Sequence, residues 1–150
     1  MDAKVKIKLF RERFYGRQDV YGKQWPIKRK SDGAIVRGFS PALENPTKDD
    51  IRASDGSNKK WARVSDDTVW HHIRGEEVHT YYLLQQDGTI KFGAIDFDCK
   101  AGREDQGYAW EDVARAAALL TEWGITYGIA RSTGTGFHIY IFFEEFISAA

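Results

Sequence analysis

The chain has 150 residues, 42% of them hydrophobic, with 22 Lys and Arg against 22 Asp and Glu and a single cysteine. That length suits one domain with its own core, burying roughly 70% of the unfolded surface. The lone Cys99 excludes an internal disulfide and a cysteine-based zinc cluster, and with no signal peptide and no apolar run near the ~20 residues of a membrane span, a soluble cytoplasmic protein is expected.

The neutral total conceals a basic head on an acidic body: residues 1–40 hold 11 Lys and Arg against 4 Asp and Glu, net +7, leaving 11 − 18 = −7 for residues 41–150. In KIKLFRERFYG the apolar positions Ile7, Phe10 and Phe14 recur at helical spacing, which predicts a first helix ending near Gly16. Arg11, Arg17, Tyr21 and Trp25 of this head are candidates for following a phosphate backbone and stacking on bases. An ordinary solvated amphipathic helix with structural aromatics fits the stretch equally well.

DVYGKQWPIKRKSDGAIVRGFSP is punctuated by Gly22, Pro26, Ser31-Asp32-Gly33 and Pro41, which predicts short strands around a turn. Residues 44–60 are polar and turn-rich, a surface loop or a short helix beginning near Pro46 and Thr47, and an internal boundary is expected there, with a basic module over 1–60 and a second part over 61–150. His71 and His72 are adjacent, so on a strand they face opposite sides and make no two-ligand metal site; with His79 they are assigned structural or surface roles. VHTYYLLQQDGTIKFGAIDFD reads as a hairpin closed by Asp87-Gly88.

AWEDVARAAALLTEWG is the clearest helix, with Trp110, Val113, Ala117 and Leu120 on one face, acids in its first turn and Gly124 at its end. Trp61, Trp70, Trp110 and Trp123 are read as packing residues. ITYGIARS and FHIYIFF follow as strands joined by the STGTG turn. The element order predicts an α+β protein, a mainly antiparallel sheet covered by helices.

Two stretches carry chemistry. In FGAIDFDCK, Asp96 and Asp98 are two apart on a strand and share a face, where their charges repel unless a cation lies between them; Mg²⁺ and Mn²⁺ take such oxygen ligands. The bland reading is an exposed strand end whose acids cap backbone amides. In RSTGTGFHIYIFF, Gly134 and Gly136 let the backbone approach an anion, Ser132, Thr133 and Thr135 add hydroxyls, and His138 can present an imidazole to a phosphate oxygen. The spacing matches neither a Walker loop nor a dinucleotide fingerprint.

FGAIDFD followed by STGTGFHIYIFF resembles the first two motifs of the archaeo-eukaryotic primase superfamily. LFRERFYGRQDVYGKQW, RGFSPALEN and HHIRGEEVHTYYLLQQDGTIKFGAIDFD resemble the primase-polymerase domains of TOTE conflict systems and of related phage and plasmid proteins. The resemblance implies an RRM-like, mainly antiparallel sheet packed by helices, behind a small N-terminal α/β module. It implies a DNA primase-polymerase that transfers nucleotides from NTP or dNTP onto a DNA template and primer, with helicase or nuclease domains as partners in a longer protein. By it Asp96 and Asp98 hold two Mg²⁺ or Mn²⁺ ions, Ser132, Thr133, Gly134, Thr135, Gly136 and His138 hold the triphosphate, and His138 joins the two acids as catalytic.

Thr135 stands where some members have lysine, and the third acidic motif has no counterpart before the chain ends, so the chain corresponds to the N-terminal part of such a domain; Glu144 and Glu145 are not assigned as ligands. Two other readings stay open: a catalytically incomplete nucleotide- or nucleic-acid-binding module, and a metal-dependent nuclease or phosphohydrolase using the same carboxylates.

Overall fold

A computed structural model describes residues 2–45, 59–98, 106–132 and 136–149. These form two compact units, Met1–Asp87 and Gly88–Ala150.

The first unit opens with α1, Ala3–Arg13. Its apolar stripe is half-buried: the Phe10 ring lies 4.9 Å from Phe14 and 5.5 Å from each of His72 and Tyr81. Strands β1, Gly22–Lys28, and β2, Ile35–Pro41, pair antiparallel from Gly22 opposite Pro41 to Lys28 opposite Ile35. Gly33 closes the turn between them at φ 72°, a left-handed conformation that glycine takes without steric cost. The two-residue β3, His79–Thr80, adds to the other edge of β1 and gives the order β2-β1-β3.

Between these strands lies α2, Asp66–Ile73, so His71 and His72 are helical rather than extended. Ser65 explains the difference: its side chain accepts from the Thr68 amide while the Thr68 hydroxyl accepts from the Ser65 amide, and Asp66 and Asp67 occupy the first turn, where the helix dipole favours acids. Val69 points inward from this helix and is fully buried, with Val20, Ala42, Val64 and His79 buried in the same unit.

The division between units falls after Asp87, later than the boundary expected in 44–60, of which residues 46–58 lie outside the described residues. Pairing of β3 with β1, the bridge between Leu43 and Trp61, and the hydrogen bond from the Arg17 amide to the Tyr82 carbonyl all hold residues 61–82 to the basic head. For the same reason the expected hairpin does not form. The turn at Asp87-Gly88 is present, with Gly88 at φ 81°, but β3 and the strand after it belong to different sheets.

The second unit comprises β4, Thr89–Phe97; α3, Gln106–Glu122; β5, Tyr127–Arg131; and β6, Phe137–Ser148. Its sheet is antiparallel throughout, in the order β4-β6-β5. Helix α3 lies on one face: Val113 and Leu120 meet Ile139 of the central strand, with Phe97, Phe137 and Ile141 packed around them. Burying such aliphatic side chains stabilises by about 1.5–3 kcal/mol each.

The helix ends as its glycine predicts. Gly124 sits at φ 68°, its amide bonds the Thr121 carbonyl, and the Ile125 amide bonds that of Leu120, a Schellman closure. The helix begins several residues earlier than expected, so Glu111 and Asp112 lie beyond its first turn. Trp110 and Trp123 are not the packing residues expected, being 50% and 66% exposed, although Trp110 still touches the Phe137 ring. Strand β6 runs on through Glu144 and Glu145, because Thr89 and Ile90 of β4 pair with Ser148 and Ile147 beyond a bulge. Three helices and two small antiparallel sheets among the described residues are the α+β class that the element order predicts.

Candidate functional site

Alternation along β4 and β6 sorts their side chains onto two faces. Phe97, Phe137 and Ile139 pack toward α3. The residues between them, Asp96 on β4 with His138 and Tyr140 on β6, therefore share the face opposite the helix. Asp96 and His138 are directly paired across the strands, and His138 Nε2 lies 3.0 Å from Asp96 Oδ1. The other ring nitrogen, Nδ1, lies 3.2 Å from the Tyr140 hydroxyl. Burial, and secondarily the Asp96 carboxylate, push the Tyr140 phenol above its ordinary pKa, so it stays protonated at neutral pH.

Asp98, one step past the end of β4, is drawn into the same region through Gly136. A Cβ on Gly136 would stand 2.7 Å from the Phe97 carbonyl oxygen, 2.9 Å from Ser132 Oγ and 3.2 Å from Asp98 Oδ1. The Ser132 hydroxyl and an Asp98 oxygen, from the end of β5 and the end of β4, thus converge on one glycine at the start of β6. The Ser132 amide donates to the Gly136 carbonyl at 3.0 Å, which fixes where β5 leaves the sheet. Thr133, Gly134 and Thr135 lie outside the described residues, as does Cys99.

The structure therefore brings together Asp96, Asp98, Ser132, Gly136 and His138 at one end of a three-stranded sheet. Among the described residues no group of three or more His, Cys, Asp or Glu is arranged to hold a metal ion. Two carboxylates remain, hard oxygen donors of the kind that bind Mg²⁺ or Mn²⁺ when substrate phosphates and water complete the coordination. Tyr140 was not among the sequence candidates; its signal was the two-residue spacing from His138, which puts both on one strand face.

The candidates of the basic head are placed differently. The Arg11 guanidinium donates to Asp66 and, at 2.8 Å, to Gln18 Oε1. Arg17 makes a two-pronged pair with Asp19, which raises the guanidinium pKa and, mainly through that hydrogen bond, lowers the Asp19 carboxyl to about 2. Tyr21 stands edge-on to the buried His79, centroids 4.8 Å apart. Trp25 lies across Gly38, where a Cβ would come within 2.3 Å of its ring, and is 37% exposed.

The histidines of this unit take the structural roles assigned to them from the sequence. His79 is buried with Nε2 2.8 Å from Glu77 Oε2, and Glu77 in turn pairs with Lys23. His72 stacks on His79 at 5.8 Å, and burial, reinforced by His79, lowers its pKa.

A family model described as the archaeo-eukaryotic primase domain of the TOTE conflict system matches residues 5–150. No curated protein matches the chain.

Proposed function

The chain belongs to the archaeo-eukaryotic primase domain family of TOTE conflict systems, and on that premise we propose that it performs template-directed nucleotidyl transfer, joining NTP or dNTP to a DNA primer. The observation that carries the reading is the convergence of Asp98 Oδ1 and Ser132 Oγ on Gly136, beside the Asp96–His138 pair. An acid pair and a phosphate cradle need to meet at one place for this reaction, and these residues come from three strands to do so.

Asp96 and Asp98 would hold Mg²⁺ or Mn²⁺, which when bound supplies positive charge against the triphosphate and the departing pyrophosphate. The Ser132 hydroxyl is a hydrogen-bond donor for a phosphate oxygen. Gly136, having no side chain, lets the Phe97 carbonyl, the Ser132 hydroxyl and the Asp98 carboxylate close in on the start of β6. His138 meets the Asp96 carboxylate through Nε2 and the Tyr140 hydroxyl, which can donate or accept, through Nδ1. In that state it positions the Asp96 carboxylate; it contacts phosphate only when Nε2 exchanges Asp96 for a phosphate oxygen. Most of the catalysis would come from placement and charge rather than covalent chemistry.

The test is primer extension by the full chain on a labelled primer-template with Mg²⁺ or Mn²⁺. An Asp96→Asn/Asp98→Asn variant should keep its circular dichroism spectrum and lose incorporation by more than about 100-fold, the scale of losing a principal transition-state interaction. Extension at the parental rate by the folded double variant would overturn the proposal. A second reading has its own observation: no third acid joins the pair among the described residues, which suits a module that binds nucleotide without transferring it. That reading requires parental nucleoside triphosphate binding with no incorporation.

A further inference from the structure

Resting on the reading of the chain as a nucleic-acid enzyme, we propose that one face of the β1–β2 ribbon is a binding platform for single-stranded nucleic acid, with Phe39 stacking on a base and Arg37 and Lys28 taking phosphates.

From Trp25 to Lys28, β1 pairs with β2 alone among the described residues. A two-stranded ribbon is marginal by itself and needs a packed face to hold its shape. Trp25 supplies it on one side, its ring occupying the space above Gly38, the residue directly across the ladder. The register puts Phe39, Arg37 and Lys28 on the opposite side: Phe39 faces Gln24, Arg37 faces Pro26, and Lys28 faces Ile35. Same-face positions succeed one another at ~7 Å along a strand, so the row runs aromatic, cation, cation. Phe39 is 47% exposed and Ile35 is 67% exposed, so among the described residues nothing covers this face.

Charge selects the occupant. Gly22–Pro41 holds five Lys and Arg against one acid, 5 − 1 = +4. Lys23 is taken by Glu77 and Arg29 by Asp32, whereas Lys28, Lys30 and Arg37 have no acidic partner among the described residues. An apolar protein surface would have to desolvate those cations without neutralising them, which is costly. A phosphate backbone neutralises them and releases counterions. Phe39 favours a single strand over a duplex, because only an unstacked base offers its ring to an aromatic side chain.

The experiment is anisotropy of a labelled oligothymidylate, longer than the ~16 nucleotides of the largest single-domain sites, titrated with the full chain over a range of salt. Phe39→Ala should weaken binding by about tenfold, the scale of one lost stack. Lys28→Ala/Arg37→Ala should flatten the slope of log affinity against log salt by about 1.4, at ~0.7 per phosphate contact on a single strand. Ile27→Ser, on the Trp25 face and 56% exposed, should leave both quantities unchanged.

Unchanged affinity and slope in the Phe39 and Lys28/Arg37 variants would overturn the inference, as would no oligothymidylate binding by the parent chain. So would a parent dimer that Phe39→Ala makes monomeric while DNA binding stays intact, since the face would then join protein copies. If the parent fails to extend primers yet shows this face dependence, the catalytic proposal falls and the platform stands.

Discussion

Replacing Gly136 with alanine adds one methyl group at the point where three strand ends meet, and the structure sets its effect. The new Cβ would lie 2.7 Å from the Phe97 carbonyl oxygen, about 0.6 Å inside the ~3.3 Å of a close carbon–oxygen contact.

That oxygen is backbone and cannot rotate aside. Relief requires β4 to move at Phe97, opposite Phe137, and with it the next residue, Asp98. Ser132 Oγ, at 2.9 Å, can turn away, but only by giving up the place proposed for a phosphate contact. Overpacking of this kind costs about 1–3 kcal/mol, which lowers the melting temperature by ~2–10 °C for a chain of this size. A displacement approaching 1 Å in a reacting group costs about 100-fold in rate.

The assay pairs thermal melting with primer extension. Gly93→Ala serves as the control, because a Cβ there meets nothing within 4 Å. Adding Ser132→Ala to Gly136→Ala removes one of the close contacts and leaves the backbone clash, so melting should recover only in part. A Gly136→Ala chain with the parental melting temperature and parental extension would refute the crowding argument and the placement of Asp98 that depends on it.

Ser65→Ala removes the side-chain acceptor that starts α2 and should cost about 1 kcal/mol in urea denaturation; no loss would mean that the helix start is held by other contacts. Tyr81→Phe removes a buried hydroxyl with no hydrogen-bond partner among the described residues, whose pKa burial pushes up to about 12, so stability should hold or rise by about 1 kcal/mol, and a clear loss would reveal a partner for that hydroxyl. The Asp19 carboxyl, lowered from 3.8 to about 2 chiefly by its hydrogen bond to Arg17, binds protons less readily folded than unfolded. Its contribution is therefore complete above pH ~4 and lost as pH falls through about 2. Asp19→Asn should be less stable than the parent at pH 6 and should flatten that acid limb in melts taken between pH 2 and 5; an unchanged limb would assign it to other carboxyls.

The sequence by itself determined the elements whose signals are local. The α3 helix was legible because Val113, Ala117 and Leu120 repeat at helical spacing and Gly124 supplies the left-handed residue that ends it. The β1–β2 turn was legible for a similar reason at Gly33. Where local signals competed, the sequence reading failed. VWHHIRG has strand-like residues, yet the cap at Ser65 and two acids in the first turn made it helical. Asp87-Gly88 announced a hairpin, because a turn fixes a chain reversal but not which strand lies next to it.

Only the tertiary structure decided the pairings. Strand β3 goes to β1 and β4 goes to β6, which moves the division between units to Asp87. That choice sets Asp96 opposite His138, turns Tyr140 toward the imidazole and brings Ser132 and Asp98 onto Gly136. It also ties Arg11 and Arg17 to carboxylates, while leaving Lys28 and Arg37 of the ribbon without acids among the described residues. The physical reason is that turn chemistry, capping and periodicity act within a few residues, whereas register is set by long-range packing, which is satisfied only when the whole sheet is assembled.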